Sequence, residues 1–564
     1  MRSTWNRILA YKAELILRSI NLHDLRTVRG ILNRRGLLPA GHVLSSCNLE
    51  LLSGLFLSGG PTDDRGGLRS SPLFDAEHYL SQAGSGAAAK NPLRHYLHQG
   101  WLQGLRPNPG FDPLWYLRAN PDVRVLGCEP LTHYATRGRR EMREPGPRGS
   151  DPAGGEFPPV LPQVEPTEPR EDEWDALIPR EHAAEPRVDV IIPVYAGRTE
   201  ALRSIQRALA ARNLCPAEIV VIDDASPDPA LAMRLRHLAD RGLITLLRNE
   251  GNLGFVGSVN RGIRLHPGRD VVLLNADTEV FGNWLDRLRN AALSHAGIGT
   301  VTPLSSDATI LSYPIRLRNN SMPLELGDRE LDELAAGLAP ELVEIPTGVG
   351  FCLYIRRACL DAVGPFDAER FGRGYGEEND FCRRALKAGW RSMAAPHVYV
   401  RHYGGRSFRQ EKQERIEAAL RTMRQLHPDY GRVVARFIRD DPLAPCRERL
   451  DEARVRRAVP SAVLTLGRTS RATEEPFPGL WLLPDVGPSL GRFRLEADVV
   501  PVAPNLAPVD LRAPVEVVAE RLRRLGVAEV RIAEGWTDGR RAARLLSAAA
   551  FAGIPASRNG PVQT

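Results

Sequence analysis

Between Val188 and Asn275, short apolar runs rich in β-branched residues alternate with longer stretches in which apolar residues recur every three or four positions. The runs are Val188 to Tyr195, Glu218 to Asp223, Leu243 to Leu247 and Val271 to Asn275, and the stretches between them include Arg198 to Arg212 and Pro229 to Asp240. Short runs of Val and Ile read as buried strands, and the helical spacing between them as amphipathic helices. This alternation predicts an α/β fold with a doubly wound, mostly parallel sheet. Ligands of such sheets bind beyond the strand C-termini. Polar residues gather there: Pro193 and Tyr195 at the end of the first run, Asp223 and Asp224 after the second, Asn275-Ala276-Asp277 after the fourth.

The flanks are patterned differently. Phe74-Asp75-Ala76-Glu77-His78-Tyr79-Leu80 returns as Phe111-Asp112-Pro113-Leu114-Trp115-Tyr116-Leu117, and Asn91-Pro92-Leu93-Arg94-His95-Tyr96 as Glu129-Pro130-Leu131-Thr132-His133-Tyr134. Gly100 and Pro107 return as Gly138 and Pro145, a period of about 38 residues. Each unit reads as two short helices joined by a Pro-marked turn. His95 and His133 each precede a Tyr at the same repeat position, which points to packing rather than metal. Residues 146–186, rich in Pro, Gly, Glu and Arg without apolar periodicity, read as a flexible linker. Beyond residue 430 the pattern loosens. Pro460 to Leu466, Gly479 to Leu483 and Val527 to Ile532 read as strands, and Val515 to Leu525 and Arg541 to Ala552 as helices. The expected layout is a helical segment at 1–70, tandem helical repeats at 71–145, the linker, a catalytic α/β domain at 187–430 and a small α/β region at 431–564 that carries no catalytic constellation.

Composition narrows the partners. A net charge of +7 and a pI near 9.1 suit anionic ligands, but no basic cluster interleaved with aromatics points to nucleic acid. Seven scattered cysteines without a CxxC pair argue against a disulfide framework or a zinc site and fit a reducing compartment. No apolar run reaches the roughly 18 to 20 residues of a membrane span. A cytoplasmic location is expected. Trp5, Ile8, Leu9, Leu15 and Ile16, with Arg2, Arg7, Lys12 and Arg18 nearby, suit a core-facing helix. The second reading of that pattern is a peripheral attachment to the inner face of the plasma membrane.

Candidate chemistry centres on Gly374-Tyr375-Gly376-Glu377-Glu378-Asn379-Asp380, three carboxylates ahead of the amphipathic run Phe381 to Trp390, with His402 downstream. Adjacent acids repel, so packing alone does not ask for them; they mark a helix start aimed at a cation or a proton, or a plain acidic cap. In order along the chain, VDVIIPVY, VVIDDAS, RNEGNLGFVGSVNRG, VVLLNADT, PTGVGFCLYIRR, FDAERFGRGYGEENDFCRRALKAGW and VRHYGGRSF cover residues 188–408. The set resembles family 2 glycosyltransferases of the GT-A fold.

That resemblance implies transfer of a sugar, with inversion, from a nucleoside diphosphate sugar to a hydroxyl of a glycan or lipid-linked glycan acceptor, aided by Mn²⁺ or Mg²⁺. It places the enzyme in bacterial surface polysaccharide or glycolipid synthesis. It assigns Asp223 to the base imide and Asp224 to the ribose, with Pro193 and Tyr195 completing the base pocket; for Asp223 an Asx turn is the structural alternative. Asn275 and Asp277 occupy the metal motif, where Asn275 replaces the first acid and leaves Asp277 as the main carboxylate ligand. Glu378 is the implied general base and Glu377 the runner-up, while Asp380 orients or caps the helix. His402 joins the metal shell, Gly350 forms a floor near the sugar, and Asn252 shapes the helix bordering the nucleotide. Similar tandem repeats accompany many bacterial glycosyltransferase domains, which implies an accessory role. The competing expectation, drawn from Asn275 and the flanking regions, is a catalytically inactive sugar-nucleotide-binding or scaffold protein of a polysaccharide assembly complex.

Overall fold

The computed structural model describes residues 73–83, 91–101, 104–120, 123, 129–138, 143–146, 164–179, 187–404 apart from 321 and 373, 409–467, 479–484, 492–497, 500, 503–533, 536 and 538–558. The 1–70 segment and its amphipathic pattern lie outside the described residues. The chain divides into two compact units, residues 1–159 and 160–564, each described by itself.

In the first unit the sequence duplication reappears in the contacts. Helix Ala76–Ala83 and helix Pro92–His95 of one copy correspond to Pro113–Ala119 and Pro130–His133 of the other. The Tyr79 hydroxyl pairs with His95 Nδ1 at 2.6 Å, and Tyr116 with His133 Nδ1 at 3.0 Å. Tyr79 meets Tyr96 edge-on as Tyr116 meets Tyr134. A Cβ at Gly100 or Gly138 would lie 2.1 or 2.2 Å from the respective tyrosine hydroxyl, so only glycine fits there. The repeated histidines thus serve these tyrosines.

The second unit is built on a nine-stranded mixed sheet. Its strands are β1 (Val188–Val194), β2 (Ala217–Asp223), β3 (Thr245–Arg248), β4 (Asp270–Leu274), β5 (Thr278–Glu279), β6 (Ile298–Ser305), β7 (Val343–Ile345), β8 (Cys352–Ile355) and β9 (Arg391–His402). Their order is β3-β2-β1-β4-β8-β6-β9-β5, with β7 also on β9. β3, β2, β1 and β4 run parallel, as do β6 and β9; β8 is antiparallel to both of its neighbours. Along β1 the period of two sends Val188, Val190, Ile192 and Val194 into one core and Ile191 into the other. Helices Arg198–Ala210, Pro229–Asp240 and Trp284–Leu293 cover the first face, and Gly254–Ile263, Arg357–Val363 and Glu377–Lys387 the second. This is the doubly wound α/β architecture expected.

Two long strands escaped the sequence pattern. β6 and β9 are almost wholly buried, but Pro303 and Pro396 interrupt them, and the register jumps from Pro303↔Ala395 to Leu304↔Tyr399. Proline within a sheet is confined to edges and bulges, so this bulge is what makes the pairing compatible with it.

Residues 164–179 also differ from expectation. They lie inside the stretch read as a flexible linker, yet helix Glu171–Asp175 packs on the sheet unit. Trp174, 1% exposed, enters the same core as β1, and Arg241 Nη2 donates to the carbonyls of Trp174 and Leu177 at 3.1 and 2.8 Å. A single large apolar side chain leaves no periodicity to read.

The C-terminal region forms a second, six-stranded sheet: β10 (Ala462–Leu466), β11 (Gly479–Pro484), β12 (Arg492–Ala497), β13 (Val509–Asp510), β14 (Val527–Ile532) and β15 (Ala556–Arg558), in the order β13-β12-β11-β10-β14-β15. Helices Val515–Arg524 and Gly539–Ala552 supply Leu522 and Leu545 to its core. Ahead of it, helix Ala444–Ala458 carries Leu450 into a cluster with Tyr313, Leu331 and Tyr399 of the first sheet's domain.

Replacing Trp174 by Ala is expected to cost about 3 to 5 kcal/mol of stability through the cavity it leaves in the core. Urea unfolding monitored by circular dichroism checks this; a loss near zero would mean that residues 164–179 do not belong to the folded domain.

Candidate active site

The C-terminal ends of β1, β2 and β4 converge on one crevice. Asp223 closes β2 with its side chain buried: Oδ1 accepts from the Ser226 amide at 2.8 Å, and Oδ2 lies 3.4 Å from Arg248 Nε. The turn-forming role of Asp223 is therefore present in the structure. Asp224 is engaged still more fully. Its Oδ1 accepts from Asn249 Nδ2 and the Leu253 amide, both at 2.7 Å, and its Oδ2 from the Gly254 amide at 2.9 Å. It thus neutralises the orphan amides at the start of helix Gly254–Ile263. The expected ribose contact is left only the spare lone pair of Oδ2. Asn252 is exposed and accepts from the same Gly254 amide at 3.0 Å, so it shapes that helix start. Tyr195 is 46% exposed beside the half-buried Pro193, which leaves its ring free to stack on a ligand.

The loop after β4 is drawn tight by its own hydrogen bonds. The Asn275 amide donates to the Phe351 carbonyl at 2.8 Å, and Thr278 Oγ1 donates to the Asn275 carbonyl at 2.7 Å. β5 then pairs antiparallel with the end of β9, setting Thr278 opposite His402. That register brings His402 Nε2 to 3.3 Å from Asp277 Oδ1. On the other side of the ring Nδ1 donates to the Asp307 carbonyl at 2.5 Å, and the ring stacks on Phe351 with centroids 5.3 Å apart. Burial alone would lower the His402 pKa, but the Asp277 carboxylate and the Asp307 groups outweigh it and lift the imidazole to about 9.

This donor set fits a divalent metal. Asp277 offers a carboxylate, Asn275 Oδ1 is buried without a hydrogen-bond partner, and His402 has its tautomer fixed by the Nδ1 bond so that Nε2 faces the carboxylate. A cation there would take the place of the proton that Asp277 and His402 share.

The acidic run begins helix Glu377–Lys387 after three successive residues in left-handed conformation: Gly374 (φ +122°), Tyr375 (+73°) and Gly376 (+88°). A non-glycine residue at positive φ is strained, and such strain gathers at functional sites. The carboxylates then part ways. Asp380 is buried against His427 Nε2 at 2.8 Å and Arg384 Nε at 2.7 Å, a structural ion pair. Glu377 is 4% exposed with Oε2 unpartnered; burial and then the neighbouring Glu378 charge push its carboxyl well above the usual range. Glu378 is half-buried and raised chiefly by burial, and it lies against Gly350, where a Cβ would sit 3.6 Å from Glu378 Cγ. Two adjacent carboxyls in such surroundings do not both ionise readily, and Glu377, raised further by the Glu378 charge, is the harder of the two to ionise. Gly350 and Phe351 link this helix start to the loop after β4: Gly350 lies against Glu378, while Phe351 accepts from the Asn275 amide and stacks on His402.

Ser306 and Asp307, which orient His402, were invisible in the sequence because nothing marks a loop carbonyl as a histidine acceptor. A second group, Asp189, Glu218 and His266, also brings potential ligand atoms within 4.8 Å of one another, but at the opposite ends of β1 and β2. There Arg269 Nη1 bonds Asp189 at 2.9 Å and Glu218 at 2.5 Å, so a guanidinium already supplies the positive charge.

Residues 189–363 match the glycosyl transferase family 2 model. The match ends before the acidic run and His402, which tertiary pairing alone joins to the family 2 segment. The uncharacterised protein Rv1525 of Mycobacterium tuberculosis is 28% identical over 157 residues, 27% of this chain and 55% of that protein; the chain thus spans about half the length of this relative. The N-acetylglucosaminyl-diphospho-decaprenol L-rhamnosyltransferase of Mycobacterium tuberculosis is 26% identical over 254 residues, 38% of this chain and 77% of that enzyme. Among solved structures, a mannosyltransferase of Pyrobaculum calidifontis in complex with GDP-Man and Mn²⁺ shares 18% identity over 53% of this chain and 79% of its own, with a TM-score of 0.34.

Asp224→Ala should destabilise the protein by about 1 to 2 kcal/mol by uncapping helix Gly254–Ile263. A thermal melt compared with Asp224→Asn measures it, and an unchanged midpoint in both variants would contradict the capping role.

Proposed function

We propose that this protein is an inverting, metal-dependent glycosyltransferase that moves a sugar from a nucleoside diphosphate sugar to a hydroxyl of a glycan or lipid-linked glycan. The observation that carries the reading is the step Gly350-Phe351, which lies against Glu378 on one side and, through the Phe351 ring, against His402 of the Asp277–His402 pair on the other. The family 2 match to residues 189–363 and the named rhamnosyltransferase relative support it. Tyr195 and Pro193 flank the nucleobase, and Asp223 accepts from its imide. Asp277, Asn275 and His402 hold Mn²⁺ or Mg²⁺, which when bound neutralises the diphosphate.

Glu378 acts as the base. Its carboxylate takes the proton of the acceptor hydroxyl as that oxygen bonds to the anomeric carbon, while the bond from that carbon to the diphosphate oxygen breaks on the opposite face. The stereocentre inverts and the nucleoside diphosphate leaves. Burial suits Glu378 to the task, since a carboxylate raised above its usual range is a stronger base near neutral pH. Gly350, without a side chain, leaves room beside it for the sugar. Among the described residues no helix is long and apolar enough to cross a membrane. The proposed setting is surface polysaccharide or glycolipid synthesis on the cytoplasmic side, with peripheral attachment to the inner face of the plasma membrane as the second reading. The repeats at 71–145 and the region at 431–564 serve as accessory parts.

Asn275, at the first position of the metal motif, favours one second reading: a sugar-nucleotide-binding protein without turnover. A donor screen with Mn²⁺ and Mg²⁺, following release of nucleoside diphosphate, separates the two. We expect release by the wild type, loss of about 10²- to 10⁴-fold in Glu378→Gln with nucleotide binding retained, and an acid limb of the rate profile above the ordinary glutamate range. The limb lies there because the base must be ionised and its pKa is raised. Unchanged turnover in Glu378→Gln would remove it as the base.

A further inference from the structure

We propose that the C-terminal α/β region holds the His402 ring in place through a buried polar clamp, and that Tyr313, Asp451 and Arg454 are positioning residues for it. The proposal rests on the reading of His402 as part of the metal shell. One loop supplies hydrogen bonds to both the backbone and the ring of His402. The His402 amide donates to Ser306 Oγ at 2.9 Å, Ser306 Oγ donates back to the His402 carbonyl at 2.9 Å, and His402 Nδ1 donates to the Asp307 carbonyl. Asn320 stitches this loop together, its Nδ2 reaching the carbonyls of Ser306, Ile315 and Arg318 and its Oδ1 accepting from the Ile315 amide.

The far end of the same loop is gripped from the C-terminal side. Tyr313, fully buried, donates its hydroxyl to Asp451 Oδ1 at 2.5 Å. Arg454 Nη1 bonds both Asp451 Oδ1 at 3.0 Å and the Tyr313 hydroxyl at 3.1 Å, while its Nε and Nη2 hold Glu325 at 2.8 and 2.6 Å. Asp451 Oδ2 accepts from the Asn505 amide and side chain at 2.9 and 3.1 Å, and Asn505 Nδ2 also reaches the Pro314 carbonyl at 3.0 Å. Arg316 Nη1 adds a bond to the Ile438 carbonyl at 2.7 Å.

Such a network contributes little net stability, because apolar side chains of the same volume would stabilise at least as well without desolvating charge. What it does specify is one arrangement of its members, since any shift leaves a buried charge unpaired. The arrangement specified here is that of the loop presenting Ser306 and Asp307. Groups that orient a metal-binding histidine typically govern affinity by about 10- to 100-fold.

The test compares full-length wild type, Tyr313→Phe, Asp451→Asn and, as a control, Leu545→Ala, which weakens the C-terminal core away from the clamp. Three quantities are measured: Mn²⁺ affinity by electron paramagnetic resonance, the His402 imidazole nitrogen signals by NMR, and the melting temperature. We expect Mn²⁺ affinity to fall about 10-fold in both clamp variants, with loss of the hydrogen-bonded Nδ1 proton signal. Leu545→Ala should lower the melting temperature and leave both readouts unchanged. Unaltered Nδ1 signals in the clamp variants, or equal loss of affinity in Leu545→Ala, would overturn the proposal. A wild type that binds no Mn²⁺ would sink the metal reading instead, while the Nδ1 signals still decide whether the clamp positions the ring.

Discussion

The antiparallel pairing of Thr278 with His402 is the contact on which the site depends. β5 is only two residues long and β9 ends at His402, so a slip of one residue would turn either Asp277 or His402 away from the other. With the register as it is, the Asp277 carboxylate and the imidazole at the end of a twelve-residue strand lie 3.3 Å apart. Phe351 ties the same point to β8, accepting from Asn275 with its carbonyl and stacking on His402 with its ring.

Beside that contact lie a run of left-handed residues and two unpartnered buried oxygens. Three left-handed residues lead into Glu377, whose Oε2 has no partner, and the Asn275 side-chain oxygen is buried without one. Asp224 and Asp380, by contrast, are fully engaged, and an orphaned buried polar group costs roughly 1 to 3 kcal/mol.

Much of the fold was legible because it follows from period. β1, β2 and β4 carry short runs of Val, Ile and Leu, and the helices between them keep an apolar face, so the doubly wound sheet and its polar strand ends could be read directly. β6 and β9 could not, since Pro303 and Pro396 break the pattern and only a bulge reconciles them with pairing. Helix Ala444–Ala458 hid for the opposite reason. It buries Arg447, Asp451, Glu452 and Arg454, charges that look solvent-facing until their partners arrive from Tyr313, Glu325, Asp441 and Arg521.

The sequence by itself determined which residue types stand at each strand end, since side-chain chemistry and local period are properties of neighbours in the chain. It named Asp277, His402, Glu377 and Glu378 as candidates, with roles implied by resemblance, and left their surroundings unread. Tertiary structure decided those surroundings, because burial, partnering and register are properties of neighbours in space. It committed Asp380 to an ion pair and Asp224 to a helix start, left Glu378 half-exposed beside Gly350, and set His402 against Asp277 under the hold of a loop that another part of the chain clamps.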